Sequence, residues 1–183
     1  MDLYDDNTLK AMLASPKERR RGFELVVRQY GQSLYWQVRR IVLQHDDADD
    51  VLQNTFLKAW QALDTFHGDS KVQTWLSRIA INEALDFMRR QKNHPTLSTD
   101  DADLGIASQL MADNYFDGDE TAAQLQEAIA QLPDVQRTVF QMKYFDDMKY
   151  SEISQVLGTS EGALKASYHI AVKKISSFFH LRD

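Results

Sequence analysis

The chain has 183 residues, of which 43% are hydrophobic and 26% charged, and a formal net charge of -6. Those proportions describe a soluble globular protein and exclude a disordered one. With no cysteine, disulfides and thiolate metal sites are excluded as well. No apolar run is long enough to cross a bilayer, and the acidic opening MDLYDD does not have the form of a secretory leader. The expectation is a cytoplasmic protein with no direct membrane insertion. Only 7 glycines and 3 prolines are present, and most of them lie between apolar-periodic segments, which predicts an all-α fold.

The charge is unevenly placed. Residues 93–136 hold nine acids and no Lys or Arg, whereas residues 1–92 carry 14 basic and 13 acidic groups and residues 137–183 carry 7 and 5. Two nearly neutral ends therefore flank an acidic middle, as expected of two domains joined by a charged linker. The predicted divisions are 1–92, 93–118 and 119–183.

Residues 1–21 begin acidic and end in the cluster Lys17, Arg19, Arg20 and Arg21, read as a solvated helix start, with phosphate contact as the alternative. From Phe23 to about Leu43, the positions Phe23, Val26, Val27, Tyr30, Leu34, Val38, Ile41 and Val42 keep helical spacing. Next come His45 to Asp50, and then a stripe of Val51, Leu52, Thr55, Phe56, Ala59, Trp60 and Leu63. Asp46, Asp47 and Asp49 suit a helix start, where acids accept bonds from free N–H groups and complement the dipole. A calcium site is disfavoured because the loop lacks its glycine and distal glutamate. The opposite side of this helix shows Asp50, Gln53, Asn54, Leu57 and Gln61, a polar face fit for a partner.

The stretch FHGDSKVQTWLSRIAINEALDFMRR, Phe66 to Arg90, reads as a loop feeding an amphipathic helix. Val72, Trp75, Leu76, Ile79, Ala80, Phe87 and Met88 form the apolar side, and Arg78, Asn82, Asp86 and Arg89 fall on another. Trp75 is expected to anchor the core. Pro95 ends this helix. Residues 94 to about 118 lose periodicity and read as a flexible acidic linker, with transient helix around Ile106 to Met111. Order resumes with a cap at Asp117-Gly-Asp-Glu120 and a helix over Ala123 to Leu132, broken by Pro133. A following helix is expected to turn Val135, Val139, Phe140 and Tyr144 inward. The last segment has helix-turn-helix punctuation: Ser151 as a cap, Ile153, Val156 and Leu157 as the apolar side, Gly158 as the turn, and Ser160 as the second cap. In that geometry the second helix enters the major groove with Ser160, Glu161, Lys165, Ser167, Tyr168 and His169, and Lys173 and Lys174 lie further on. Helix-turn-helix pairs also occur in proteins that never meet DNA.

Three blocks together, DDADDVLQNTFLKAWQAL, FHGDSKVQTWLSRIAINEALDFMRR and LPDVQRTVFQMKYFDDMKYSEISQVLGTSEGALKASYHIAVKKI, resemble the extracytoplasmic-function sigma factors of bacterial RNA polymerase. The resemblance covers about residues 22–92 and 120–178. It implies a transcription initiation factor whose first domain binds the polymerase clamp through Asp50, Gln53, Asn54, Leu57 and Trp60. It further implies that the loop of Phe66, Gly68, Asp69, Ser70 and Lys71 captures an unstacked base of the minus-ten element, with Arg78, Asn82, Arg89 and Arg90 beside it. The second domain would read the minus-thirty-five element with Ser160, Lys165, Ser167, Tyr168, His169 and Lys173. The linker would run through the polymerase interior, and an anti-sigma factor would mask the idle protein. The implied partners are thus polymerase core, promoter DNA and an anti-sigma factor, with no cofactor and no metal. The chain departs from the family pattern at Asn54, where an acid is commoner, and at Ser167 and Ile170, where arginine is frequent.

Two rival readings stay in view. A stand-alone regulator would share the C-terminal helix-turn-helix, but the N-terminal half lacks the alternating strands and helices of a phosphoacceptor domain. A metal-dependent nuclease at Asp46 to Asp50 lacks a second carboxylate or histidine cluster, so no enzyme is expected.

Overall fold

In the computed structural model, which describes residues 4–93 and 118–181, every regular element is helical, as the composition and periodicity predict. The described residues fall into two compact units divided after Arg90. The expected linker, with its transient helix, lies almost entirely outside the described residues.

The first unit contains α1 (Asp6–Ala14), α2 (Arg19–Val42), α3 (His45–Gln61), a 3-10 turn (Leu63–Thr65) and most of α4 (Val72–Asn93). The sequence reading does not anticipate α1. Asp5 caps it, accepting from the Asn7 and Thr8 N–H groups at 3.0 and 3.1 Å, and Leu9 and Leu13 are its buried residues. In α2 the expected stripe turns inward through Val26, Leu34, Val38 and Ile41, all buried. Each such side chain contributes about 1.5–3 kcal/mol when removed from water. A tight corner joins α2 to α3, with Leu43 in the left-handed region at φ 71° and its N–H donating to the Arg39 carbonyl at 2.9 Å. A bulky residue there costs about 1–2 kcal/mol.

At the start of α3 the cap position is Gln44, which makes no side-chain capping bond; Asp46 and Asp47 sit in the first turn, where they complement the dipole. The same helix buries Val51, Thr55 and Ala59 against the unit's core. Leu76, Ala80, Ile81 and Ala84 bury the facing side of α4. Between these two helices lies an ion pair that local spacing does not signal. Glu83 of α4 is only 5% exposed, and its carboxylate accepts from the Lys58 ammonium of α3.

The second unit contains α5 (Glu120–Ala130), α6 (Asp134–Phe140), a π-helical turn (Gln141–Phe145), α7 (Tyr150–Leu157) and α8 (Glu161–His180). Asp119 caps α5 through the Ala122 N–H at 2.9 Å, and Pro133 stands immediately before α6, where it breaks the chain as expected. Ile129, Leu132, Phe140, Ala171 and Ile175 form the core. Two inward assignments fail here. Val135 is 62% exposed and Tyr144 is 56% exposed. Near Val135 the interior is filled instead by Arg137, whose guanidinium donates to the Ala130 and Leu132 carbonyls at 3.3 and 3.2 Å and to Asp134 at 2.8 Å. For Tyr144 the cause is the π turn, which advances the helix by an extra residue and sends Gln141 and Met142 inward.

The helix-turn-helix consists of α7, a turn and α8. Its first cap is not Ser151. The N-cap position is Lys149, whose backbone N–H donates to the Glu152 carboxylate at 2.9 Å, which places Ser151 within the first turn. Gly158 closes α7 at φ 63°, a conformation open to glycine without strain. Ser160 caps α8 by accepting from the Ala163 N–H at 3.4 Å, as predicted.

Candidate nucleic-acid interface

Three surfaces carry the residues singled out from the sequence. On α3, Asp50, Gln53, Asn54 and Gln61 are exposed, together with Leu57 at 57% and Trp60 at 42%. Trp60 is not a free flap, because its ring meets Phe23 edge-on at 5.2 Å. A carboxylate, three amides and two apolar side chains on one helical face can exchange hydrogen bonds at a rim while burying apolar area at a centre.

The second surface is the loop after the 3-10 turn. Phe66 is half-buried and stacked on Trp75, with ring centroids 4.5 Å apart, so Trp75 anchors the loop as well as the helix. Gly68 takes φ 79°, and His67, Asp69 and Lys71 are exposed around it. Behind the loop, Lys10, Leu13, Ala14, Leu63, Phe66 and Gly68 help line a cavity of about 330 Å³. Along α4, Asn82, Arg89 and Arg90 are exposed. Arg89 is held by Asp86 at 2.9 Å, and Arg78 is half-buried with its Nε sequestered and without a partner among the described residues.

The sequence reading missed the residues that hold this loop. The Asp6 carboxylate accepts from the Val72 N–H at 2.8 Å and pairs with Lys10 at 2.9 Å. Burial would raise the Asp6 pKa, but the Lys10 ammonium and the Val72 N–H outweigh it and hold it below the ordinary value. The contribution of a lowered carboxyl is complete above its unfolded pKa and is lost as pH falls through the folded one, so this contact is intact at neutral pH. Arg19 joins Asp64 at 2.7 Å. The spacing of Asp5, Leu9 and Leu13 signals α1 itself, but nothing local connects Asp6 with Val72.

The third surface is α8. Lys165, His169 and Lys173 form an exposed row at four-residue spacing, with Ala166 and Ile170 beside them and Ser167 half-buried. Lys165 lies 3.9 Å from Glu161 and 5.6 Å from the Tyr150 ring centroid. Tyr168 stands apart from the row. Its ring is half-buried and stacked on Phe140 at 5.7 Å, and burial, with Tyr150 and Tyr144 adding to it, raises its phenol pKa.

A two-unit, all-helical fold with a helix-turn-helix is shared by DNA-binding proteins and by others, and comparison with known proteins decides between them. The family model Sigma-70 region 2 matches residues 26–94, and Sigma-70, region 4 matches residues 122–175. The chain is 32% identical over 155 residues to the ECF RNA polymerase sigma factor SigW of Bacillus subtilis, covering 80% of this chain and 83% of that one. It is 30% identical to the RNA polymerase sigma-H factor of Pseudomonas aeruginosa, covering 80% of each. The solved structure of CnrH in complex with the cytosolic domain of CnrY is 26% identical, with a TM-score of 0.68, and covers 97% of this chain and 99% of that chain. A Bartonella quintana sigma factor, RpoE, solved with the anti-sigma factor NepR, shares the fold at a TM-score of 0.65 and 18% identity, over 88% of this chain and 98% of that chain. The chain belongs to the extracytoplasmic-function sigma factors of RNA polymerase. As such it directs promoter recognition by the polymerase, and the stand-alone regulator is not favoured. Among the described residues, no helix is long and apolar enough to cross a membrane.

Proposed function

We propose that residues 1–92 carry both the polymerase contact and the minus-ten contact, that residues 119–183 carry the minus-thirty-five contact, and that the acidic segment 93–118 tethers them. The polymerase contact is the α3 face of Asp50, Gln53, Asn54, Leu57 and Trp60. What carries this assignment is that exposed face, on which Leu57 and Trp60 remain uncovered beside polar groups. Surfaces of that mixed kind are how proteins dock reversibly.

Minus-ten capture falls to Phe66, Gly68, Asp69, Ser70 and Lys71, with Arg78, Asn82, Arg89 and Arg90 along α4. An unstacked base costs a few kcal/mol to extrude, which a shaped pocket offsets by stacking and hydrogen bonds. On α8, Ser160, Lys165, Ser167, His169 and Lys173 face the minus-thirty-five duplex, while Tyr168 braces them from the core side. Ala166 and Ile170 suit thymine methyl groups. The protein works in the cytoplasm without a cofactor. An anti-sigma partner covers its apolar-edged faces when idle, a role supported by the similar RpoE, which is solved with the anti-sigma factor NepR.

Run-off transcription with core polymerase and a cognate promoter tests the polymerase face. Asp50→Ala combined with Gln53→Ala is expected to lower promoter-dependent transcript by about tenfold or more, as loss of two polar interface anchors does. Unchanged transcript would refute the assignment.

A further inference from the structure

The segment from Ala62 to Lys71 has little regular structure, yet residues at the start of α1 and the start of α2 fasten it at both ends. At its entry, Asp64 accepts from Arg19 Nη1 at 2.7 Å, and the Nε of the same guanidinium donates to the Leu13 carbonyl at 3.1 Å. One side chain thus ties the end of α1 to the start of the loop. At its exit, Asp6 takes the Val72 N–H, one of the four that the start of α4 leaves without intrahelical partners. Such groups are usually satisfied by a neighbour in sequence; this one is met from 66 residues away. Between the two ends, Gly68 packs over α1, where a Cβ would stand 3.6 Å from the Lys10 Cδ. The frame itself is tight: at Gly22 of α2 a Cβ would come within 2.8 Å of the Met12 Cβ of α1.

Building on the assignment of the loop to minus-ten capture, we propose that α1 is a fixed frame for that loop and that Asp6 and Arg19 are positioning residues. They act through the Val72 N–H and the Asp64 carboxylate and do not touch DNA. A loop held at both ends keeps its base-binding geometry before DNA arrives, so promoter melting does not also have to order the loop.

The test uses holoenzyme assembled from the full chain and core polymerase, with two readouts: affinity for core, and the rate of promoter opening followed by 2-aminopurine fluorescence in the minus-ten element. Asp6→Ala is expected to slow opening by about tenfold, the effect of losing a helix cap of ordinary strength, with core affinity within about twofold of wild type. Asp6→Asn retains an oxygen acceptor for the Val72 N–H and is expected to open promoters within about threefold of wild type. Arg19→Met is expected to slow opening as Asp6→Ala does. Wild-type opening by Asp6→Ala would overturn the proposal. So would equal slowing by Asp6→Asn, or a parallel loss of core affinity, which would report general loosening of the unit. Lys71→Ala in the same assay checks the loop assignment separately: unchanged opening there removes that assignment, and the proposal with it.

Discussion

Arg137 is a charged residue placed where the apolar pattern of α6 expects hydrocarbon. It is buried, and burial pushes its pKa down from the usual value while Asp134 opposes the shift. Its role is to give donors to the Ala130 carbonyl, which the end of α5 leaves without a helical partner, and to the Leu132 carbonyl just beyond that helix. Arg137→Met keeps much of the volume but removes every donor. The expected loss is about 2–3 kcal/mol, since two buried carbonyls lose their donor and Asp134 keeps only Lys92 of its two cation partners, measured by urea unfolding of the full chain. A change near zero would mean that water meets those groups equally well.

At the scale of elements, α3 and α4 present different surfaces yet share the Lys58–Glu83 pair at their seam. Glu83 is buried, whereas the Lys58 side chain is 55% exposed, so the pair lies between the surface and interior cases. Glu83→Lys places two cations together and is expected to destabilise the N-terminal unit by about 2 kcal/mol, below the cost of breaking a fully buried pair. Adding Lys58→Glu should recover part of that loss in thermal or chemical unfolding. No recovery would show that packing around Glu83, and not charge, sets the cost. Elsewhere, single elements explain the readings that failed: the π turn after Phe140 rephases Tyr144 outward, and the Lys149–Glu152 bond starts α7 ahead of Ser151.

For the molecule as a whole, charge determines how it meets DNA. Net charge is -6, and α8 exposes a short row of Lys165, His169 and Lys173, with Lys174 nearby. Each phosphate contact adds about 0.9 to the slope of log affinity against log salt, so the free chain should bind duplex weakly, with a slope of about -3. Fluorescence anisotropy across a salt series measures it. A slope near -6 with tight binding would reveal a basic surface other than α8 and revive action without polymerase.

Much of the architecture was legible in the chain because helix formation is local: apolar side chains three and four residues apart share a face wherever the chain runs. The stripes of α2, α3 and α4 and the exposed α3 face follow from that periodicity, and the Ser160 cap and the Gly158 turn follow from the local chemistry of serine and glycine. The three motif blocks resembling the sigma family supplied the role proposed for those faces, which spacing alone leaves open between DNA and other partners. Tertiary structure decided what holds the faces in place. Asp6 meets Val72 across 66 residues, Arg19 meets Asp64 across 45, and Lys58 meets Glu83 across 25. Such pairs have no period, because each forms only when segments distant in sequence have already packed together.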